Sequence, residues 1–385
     1  MALHDVKGLR KTVIAMEGYV PGKTIAEVER ELGLTDVIKL GSNENPYAPF
    51  PTALRAMTEE LRRVHRYPDA TFTEIKELLA ELYGLDVSQV AVSHGAEGML
   101  QNLGKCFLDE GDEVIRSGVT YGLYKEISRL MGARVVEVPV RNWRVDPDAM
   151  AEAVTAKTKL VWISNPNNPL GSIFDRKAFE CLLDRLPETA WVILDEAYAE
   201  FAPPAELPDR VRLLREKRNL IVVRTFSKYY GLAGARLGYA LASADVVTAI
   251  DTVSEPFNAN RIALAGAVAL LRHGKAELEA ARQRIFADRE RLERALEDRG
   301  CFVVPSRANF VFADTPYDGE TLAKELLLRG VIVRPCSGWG FPGALRVTVG
   351  TTKEMDRFLR AFDEAVPALA ERSGTTKNME WNVVL

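Results

Sequence analysis

The sequence predicts an α/β protein: a three-layer large domain around a mostly parallel seven-stranded sheet, followed by a smaller α+β domain. Seven short apolar runs recur between about residues 54 and 242. Segments of helical period separate most of them, and after residue 242 the alternation gives way to a long helical stretch and a few short strands. Strands that are apolar almost throughout and alternate with helices belong in a sheet covered on both faces.

In chain order, Pro51 and Thr52 open a helix over "ALRAMTEELRRV", since a first turn tolerates the missing N–H of proline. The candidate strands are 90–93, 112–115, 134–138, 159–164, 190–194, 220–223 and 237–241. Helical period fills 124–131, 147–154 and 176–186, the last begun by Asp175. Beyond residue 242, one helical stretch runs from about 261 to 299. Strands at 302–305 and 309–314, a helix at 319–329, strands at 331–333 and 345–349, and a helix at 353–370 follow. The division expected is an N-terminal arm over 1–38 joining the small domain, a large domain over 39–250, a small domain over 251–370 and a tail over 371–385 of no assignable role.

A chain of 385 residues is too long for one small core. Its 50 basic and 54 acidic residues are mixed along the whole length, so no basic stripe points to nucleic acid. Charge interrupts the first residues, which argues against a secretion signal, and no apolar run has the length of a membrane span. A cytoplasmic protein is expected. Cys106, Cys181, Cys301 and Cys336 lie far apart and away from the four histidines, so neither a metal site nor a disulfide framework is expected.

The segment "RTFSKYYGLAGARLG", 224–238, sets Lys228 directly after an apolar strand and a hydroxyl-bearing turn. A lone lysine is usually a solvated charge, but the carboxyl end of a sheet strand is where α/β folds bind ligands. Desolvation there favours the neutral amine, which can form an imine with an aldehyde cofactor. Such chemistry on pyridoxal phosphate needs a carboxylate that keeps the pyridine nitrogen protonated. Asp195, in "VILDEAY", follows another apolar strand, and Tyr198 lies three positions on, where it could bond the ring hydroxyl. A turn cap is the plainer reading of Asp195. Asn168, in "ISNPNNPLG", could donate to the ring, although a turn alone explains the prolines. The Gly95–Ala96 turn leads from strand to helix and offers backbone N–H groups to a phosphate. Thr225, Ser227 and Arg236 add side-chain donors, and Tyr121 reads either as core packing or as a ring stacked on the pyridine.

The segments SNENP, RYPD, GAEG, TYGLY, NPNNPLG, DEAY, TFSKYYGLAGARLG and LRVTVG together resemble fold-type I aminotransferases, and among them the histidinol-phosphate aminotransferase group. The resemblance runs from about residue 19 to residue 362. It implies an aspartate aminotransferase-like fold, pyridoxal 5'-phosphate as cofactor, and amino transfer between an amino donor and a keto-acid acceptor, 2-oxoglutarate. Lys228 would be the Schiff-base lysine and proton shuttle, with Asp195 at the ring nitrogen, Tyr198 and Asn168 at the ring oxygen and Tyr121 stacked on the ring. Gly95, Ala96, Glu97 (through its backbone), Thr225, Ser227 and Arg236 would hold the phosphate. Tyr67 would reach the phosphate across a subunit boundary, which implies a homodimer with shared sites. Arg346 would clamp the substrate carboxylate, a task suited to a bidentate guanidinium. Asn45 would also contact substrate, with Tyr19 and Arg334 around its distal phosphate. The amino substrate favoured is L-histidinol phosphate, ahead of aromatic amino acids, with a threonine-phosphate-type decarboxylation as a third enzyme reading.

The chain departs from the family's usual pattern in places. Leu170 stands where threonine is usual, Gly98 where an acid is common, Tyr47 and Phe50 are bulky, and Tyr229–Tyr230 make the lysine segment aromatic. None of these removes a catalytic group. A nicotinamide enzyme would need G-x-G-x-x-G, which the Gly95 turn lacks. A non-catalytic cofactor-binding protein would be expected to have lost Lys228.

Overall fold

Thirteen strands form among the described residues, which in this computed structural model are 6–16, 22–216 and 219–373. They are β1 (Ile38–Lys39), β2 (Val90–Ser93), β3 (Glu113–Ser117), β4 (Arg134–Val138), β5 (Thr158–Ser164), β6 (Trp191–Asp195), β7 (Leu220–Thr225) and β8 (Gly238–Leu241). Next come β9 (Phe302–Val304), β10 (Phe310–Asp314), β11 (Val331–Ile332), β12 (Arg334–Pro335) and β13 (Ala344–Thr348). Tyr19 and most of the expected tail, from residue 374 on, lie outside the described residues.

The large sheet runs β2-β8-β7-β6-β5-β3-β4. Every pairing is parallel except those of β8, which lies antiparallel to β2 and β7. Alternation along the strands feeds two cores. Val192 and Leu194 of β6 pack with Leu220 and Val222 of β7 on one face, while Ile193, Ile221 and Val223 pack on the other. This is why the strands read as continuous apolar runs. The register also aligns the strand ends, for Ser164 pairs with Asp195 and Asp195 with Val223. The loops after β5, β6 and β7 therefore leave the sheet along one edge.

The smaller sheet, β12-β13-β10-β9, is antiparallel, and β1 pairs in parallel with β11. Its core gathers Phe310, Val311, Leu322, Leu345 and Phe358 from two strands and the helices Gly319–Leu328 and Thr352–Ser373.

The helical stretch expected over 261–299 is two helices, Arg261–His273 and Lys275–Glu297, broken at Gly274. A Cβ there would lie 2.7 Å from Leu270 Cδ2 and 2.9 Å from the Leu270 backbone, so only glycine fits the break. The first helix puts Ala263, Ala267 and Leu270 into the large-sheet core, and the second carries Leu278 and Ala281 there before Ile285, Leu292 and Leu296 enter the small core. The N-terminal segment also divides. Arg10 donates to the Leu130 carbonyl at 2.9 Å on the large domain, whereas β1 and the Arg357–Asp36 ion pair, 2.7 Å, belong to the small one. Helix Ile25–Leu32 is not among the expected elements, although its Thr24/Glu27 capping box is readable in the sequence. No helix among the described residues is long and apolar enough to cross a membrane.

Candidate active site

Lys228 leaves β7 through Thr225, Phe226 and Ser227. The turn is held by backbone bonds: Phe226 N–H to Leu237 O at 3.0 Å, Leu232 N–H to Phe226 O at 2.9 Å and Gly231 N–H to Lys228 O at 3.1 Å. The lysine Nζ donates to the Ser42 carbonyl at 3.0 Å and lies 5.9 Å from the Tyr198 ring centroid. Burial, with the neighbouring Arg346 charge second, pushes its pKa down to about 8.

Asp195 ends β6 and is buried. Burial raises its carboxyl above the ordinary range, while two donors favour the ionised form: Tyr124 Oη on Oδ2 at 2.6 Å and the Ala197 N–H on Oδ1 at 3.0 Å. Tyr124 is fully buried and stacks on Trp162, ring centroids 5.5 Å apart. The sequence alone places Tyr124 in a helix and gives it no role. Its signals are its place at the end of the TYGLY segment and the spacing of three from Tyr121, whose ring stands edge-on to it at 5.7 Å.

Tyr198 Oη accepts from Asn43 Nδ2 at 3.0 Å. Asn43, which lies in the SNENP segment but is given no role by the sequence, sits in the left-handed region (φ 55°). Its N–H donates to Thr348 Oγ1 at 2.9 Å, so Tyr198 is tied to β13 of the small domain. Asn45 spends its amide on backbone, donating to Tyr229 O at 2.9 Å and accepting from the Tyr47 N–H at 3.0 Å. It braces the chain beside Lys228. Asn168 Oδ1 accepts from Arg346 Nη1, and Arg346 Nη2 donates to Gly41 O, both at 2.6 Å.

A second group converges at the start of helix Gly95–Phe107, which no side chain caps. The first N–H groups of a helix have no intrahelical acceptor. Gly95 has φ 73°, and a Cβ on it would lie 2.8 Å from Arg236 Nη2; a Cβ on Gly238 would lie 2.5 Å from Ala96 N. Arg236, itself left-handed at φ 56°, reaches Ser227 Oγ at 3.4 Å and Glu97 Oε2 at 3.3 Å. Thr225 Oγ1 accepts from the Ser227 N–H at 3.1 Å. Gly95, Ala96, Thr225, Ser227 and Arg236 thus make an N–H-lined, cationic cradle of the kind that fits a phosphate. Glu97 contributes more than backbone, since its carboxylate also accepts from Tyr121 Oη.

Tyr67 stands at the surface, 77% exposed, and stacks on Phe257 with centroids 4.4 Å apart. Arg334 lies opposite Arg346 across β12 and β13. Leu170 is fully buried among Val304, Phe312, Cys336 and Ala344, so it packs the loop after β5 against the small sheet. Tyr230 fills the core beside Phe226, whereas Tyr229 is half-buried, its phenol pushed up to about 12 by burial.

A parallel sheet whose strand ends carry Lys228 and Asp195 beside a phosphate cradle, with an antiparallel domain bringing an arginine to them, defines an aspartate aminotransferase-like enzyme. Aspartate aminotransferase from Thermus thermophilus, solved with maleate, has the same fold at a TM-score of 0.81 and 26% identity, over 94% of this chain and 100% of that one. The chain belongs to the class I and II aminotransferases, whose family model matches residues 35–362. It is a transaminase, moving an amino group between an amino donor and a keto acid. Histidinol-phosphate aminotransferase from Moorella thermoacetica is 39% identical over 356 residues, 92% of each chain. The structure of histidinol-phosphate aminotransferase from Sinorhizobium meliloti in complex with pyridoxal-5'-phosphate matches at a TM-score of 0.86 and 29% identity, covering 95% of this chain and 99% of that one.

Proposed function

We propose that the enzyme carries pyridoxal 5'-phosphate on Lys228 and moves the amino group of L-histidinol phosphate to 2-oxoglutarate. The observation that carries this reading is the meeting of Lys228, Asp195 and the Gly95 cradle at one sheet edge with the Arg334–Arg346 pair of the small domain. One end of such a site suits the cofactor phosphate and the other an anionic substrate. The 39% identity to the histidinol-phosphate aminotransferase from Moorella thermoacetica supports the choice of substrate.

When bound, the cofactor supplies an aldehyde for amines and a pyridine ring that takes up the electron pair released at the substrate α-carbon. Lys228 Nζ, whose pKa burial brings down to about 8, acts as the base that removes and redelivers that proton. Asp195 would hold a proton on the ring nitrogen, and Tyr198 and Asn168 would bond the ring oxygen. Tyr121 would cover one face of the ring and exclude water from it. The N–H groups of Gly95, Ala96 and Glu97, with Thr225, Ser227 and Arg236, would hold the phosphate. Arg346 and Arg334 orient the substrate by its anionic end, and Asn45 keeps the segment beside Lys228 in place.

The same reading makes the enzyme a cytoplasmic homodimer. Leu54, Leu61, Val64 and Tyr67, on and after helix Pro51–Glu60, are exposed apolar side chains, as is Phe257 stacked on Tyr67, and apolar exposure of this kind suits a partner subunit to which Tyr67 is delivered.

Borohydride treatment of the holoenzyme, followed by peptide mapping, is expected to find the cofactor fixed to Lys228; fixation elsewhere overturns the assignment. Single half-reactions with histidinol phosphate, phenylalanine and tyrosine decide the substrate. If Arg334→Ala leaves the histidinol phosphate reaction unchanged, the substrate assignment loses its support.

A further inference from the structure

Arg334 and Arg346 are cross-strand partners in the antiparallel register of β12 and β13. Residues opposed in this way project from the same face, so two cationic side chains share it, an arrangement that like-charge repulsion disfavours. One indole serves both. The centroid of Trp339 is 5.8 Å from Arg334 Cζ and 5.9 Å from Arg346 Cζ. Trp339 sits in the turn that returns from β12 towards β13, closed by bonds from its N–H to Cys336 O and from Gly340 N–H to Ser337 O, both 2.9 Å, with Gly340 left-handed at φ 88°. Its Nε1 donates to Thr120 O at 2.8 Å, the residue before Tyr121. A single side chain therefore joins both arginines of the small domain to the backbone of the loop that carries Tyr121 in the large one.

We propose that Trp339 is the positioning residue for the anionic end of the substrate, its ring serving as the platform that holds Arg334 and Arg346 turned to one doubly charged group. The proposal rests on the reading of those two arginines as anion-binding residues. A π-face attracts both cations and so offsets their mutual repulsion without neutralising either. Asn168 Oδ1 and Gly41 O, two of the groups that accept from Arg346, are neutral oxygens. Two guanidiniums kept adjacent match a phosphate monoester dianion better than a single carboxylate, so the platform favours phosphorylated amines over amino acids with neutral side chains. The indole N–H fixes where the platform stands relative to Tyr121.

The test uses holoenzyme of the wild type, Trp339→Phe, Trp339→Leu and Arg334→Ala. Binding of inorganic phosphate is titrated by calorimetry, and the histidinol phosphate half-reaction is resolved into a saturation constant and a limiting rate. Trp339→Leu is expected to weaken phosphate binding and raise the saturation constant about 10-fold, the effect of removing a desolvated cation–π interaction. Its limiting rate and cofactor content are expected to stay within about threefold, and Trp339→Phe, which keeps a ring, to bind phosphate within about threefold of wild type. If Arg334→Ala weakens phosphate binding while Trp339→Leu does not, the platform is wrong and the arginine reading stands. If Arg334→Ala has no effect on phosphate, the arginine reading itself fails. Equal weakening in the Phe and Leu variants, or a fall in limiting rate and cofactor content alone, also overturns the proposal.

Discussion

Tyr124 donates its hydroxyl proton to Asp195 Oδ2 across 2.6 Å, and both residues are buried. Burial drives the two groups the same way, raising the phenol well above its ordinary value and the carboxyl above its own. The phenol therefore stays a donor at any working pH, and its bond, with that of the Ala197 N–H, favours the ionised acid in a place that otherwise disfavours charge. Trp162 fixes the donor by stacking on it and is itself held by its Nε1 bond to Ser128 Oγ at 3.1 Å.

Tyr124→Phe keeps the ring and removes that bond. With one of its lowering causes gone, the Asp195 carboxyl is raised further, so the ionised form gives way at a higher pH than in the wild type. The acid limb of the kcat/KM profile should move to higher pH. Cofactor affinity should fall about 10-fold or more, since a hydrogen bond to a charged group is worth about 1.5–3 kcal/mol. The pH profile and an absorbance titration of the apoenzyme check both; an unmoved acid limb refutes the role given to Tyr124.

The Lys228 amine is expected to react as a base near neutrality. Burial and Arg346 both disfavour the ammonium, so the folded-state pKa lies at about 8 and the neutral amine predominates above it. Labelling of the apoenzyme by an amine-directed reagent should rise with pH through a midpoint near 8, well below the ~10.4 of a free lysine. Arg346→Ala removes a neighbouring cation and should shift the midpoint upward. Lys228→Ala should cost about 10²–10⁴-fold in the half-reaction, the usual worth of a positioned acid–base group. A midpoint unaffected by Arg346→Ala would remove Arg346 from the causes of the shift.

Lys228, Asp195 and the Gly95 turn were legible because each follows an apolar run whose end the sequence marks, and parallel sheets collect such ends along one edge. Tyr124, Asn43 and Trp339 were not. Tyr124 and Asn43 act through residues more than 70 positions away, Asp195 and Tyr198, and Trp339, which stands against the nearby Arg334 and Arg346, is anchored on the distant Thr120. No local spacing encodes such contacts. Glu97 was half legible, because its position at a helix start announces its N–H but not the Arg236 and Tyr121 partners of its carboxylate. The break at Gly274 was visible as a glycine, yet a glycine inside a helical period is tolerated often enough that only the crowding at Leu270 makes it decisive.

Beneath the site, Glu196 and Arg224 join β7 to the residue that follows β6. Glu196 Oε2 forms ion pairs with Arg224 Nη1 at 2.8 Å and Arg210 Nε at 2.5 Å, while Arg224 Nη2 meets Glu200 at 2.6 Å. Both members of the central pair are buried, so breaking it strands a charge, which typically costs about 3–5 kcal/mol. Glu196→Leu and Arg224→Met should each lower the thermal midpoint by ~5 °C or more. The double variant should lose less than the sum of the two, because it leaves fewer unmatched charges. Thermal scans of the four proteins decide it, and strict additivity would show that the pair is not coupled.

Tyr67 gives the sharpest test of a shared site. Its ring lies outward on Phe257, and its carbonyl, with that of Arg66, accepts from Arg261 Nη1 at 3.1 Å, so the side chain is braced for a target other than its own core. If that target is the phosphate in a partner's site, Tyr67→Ala and Lys228→Ala damage different subunits' contributions to each site. A mixed dimer of the two variants then holds one site with both defects and one with neither. Refolding or co-expressing the two impaired proteins together should restore activity to about a quarter of wild type, since half of the dimers are mixed and each has one intact site. Cofactor binding should recover in the same proportion, measured by absorbance. No recovery from the mixture, with both variants folded and dimeric by light scattering, would place Tyr67 outside the partner's site.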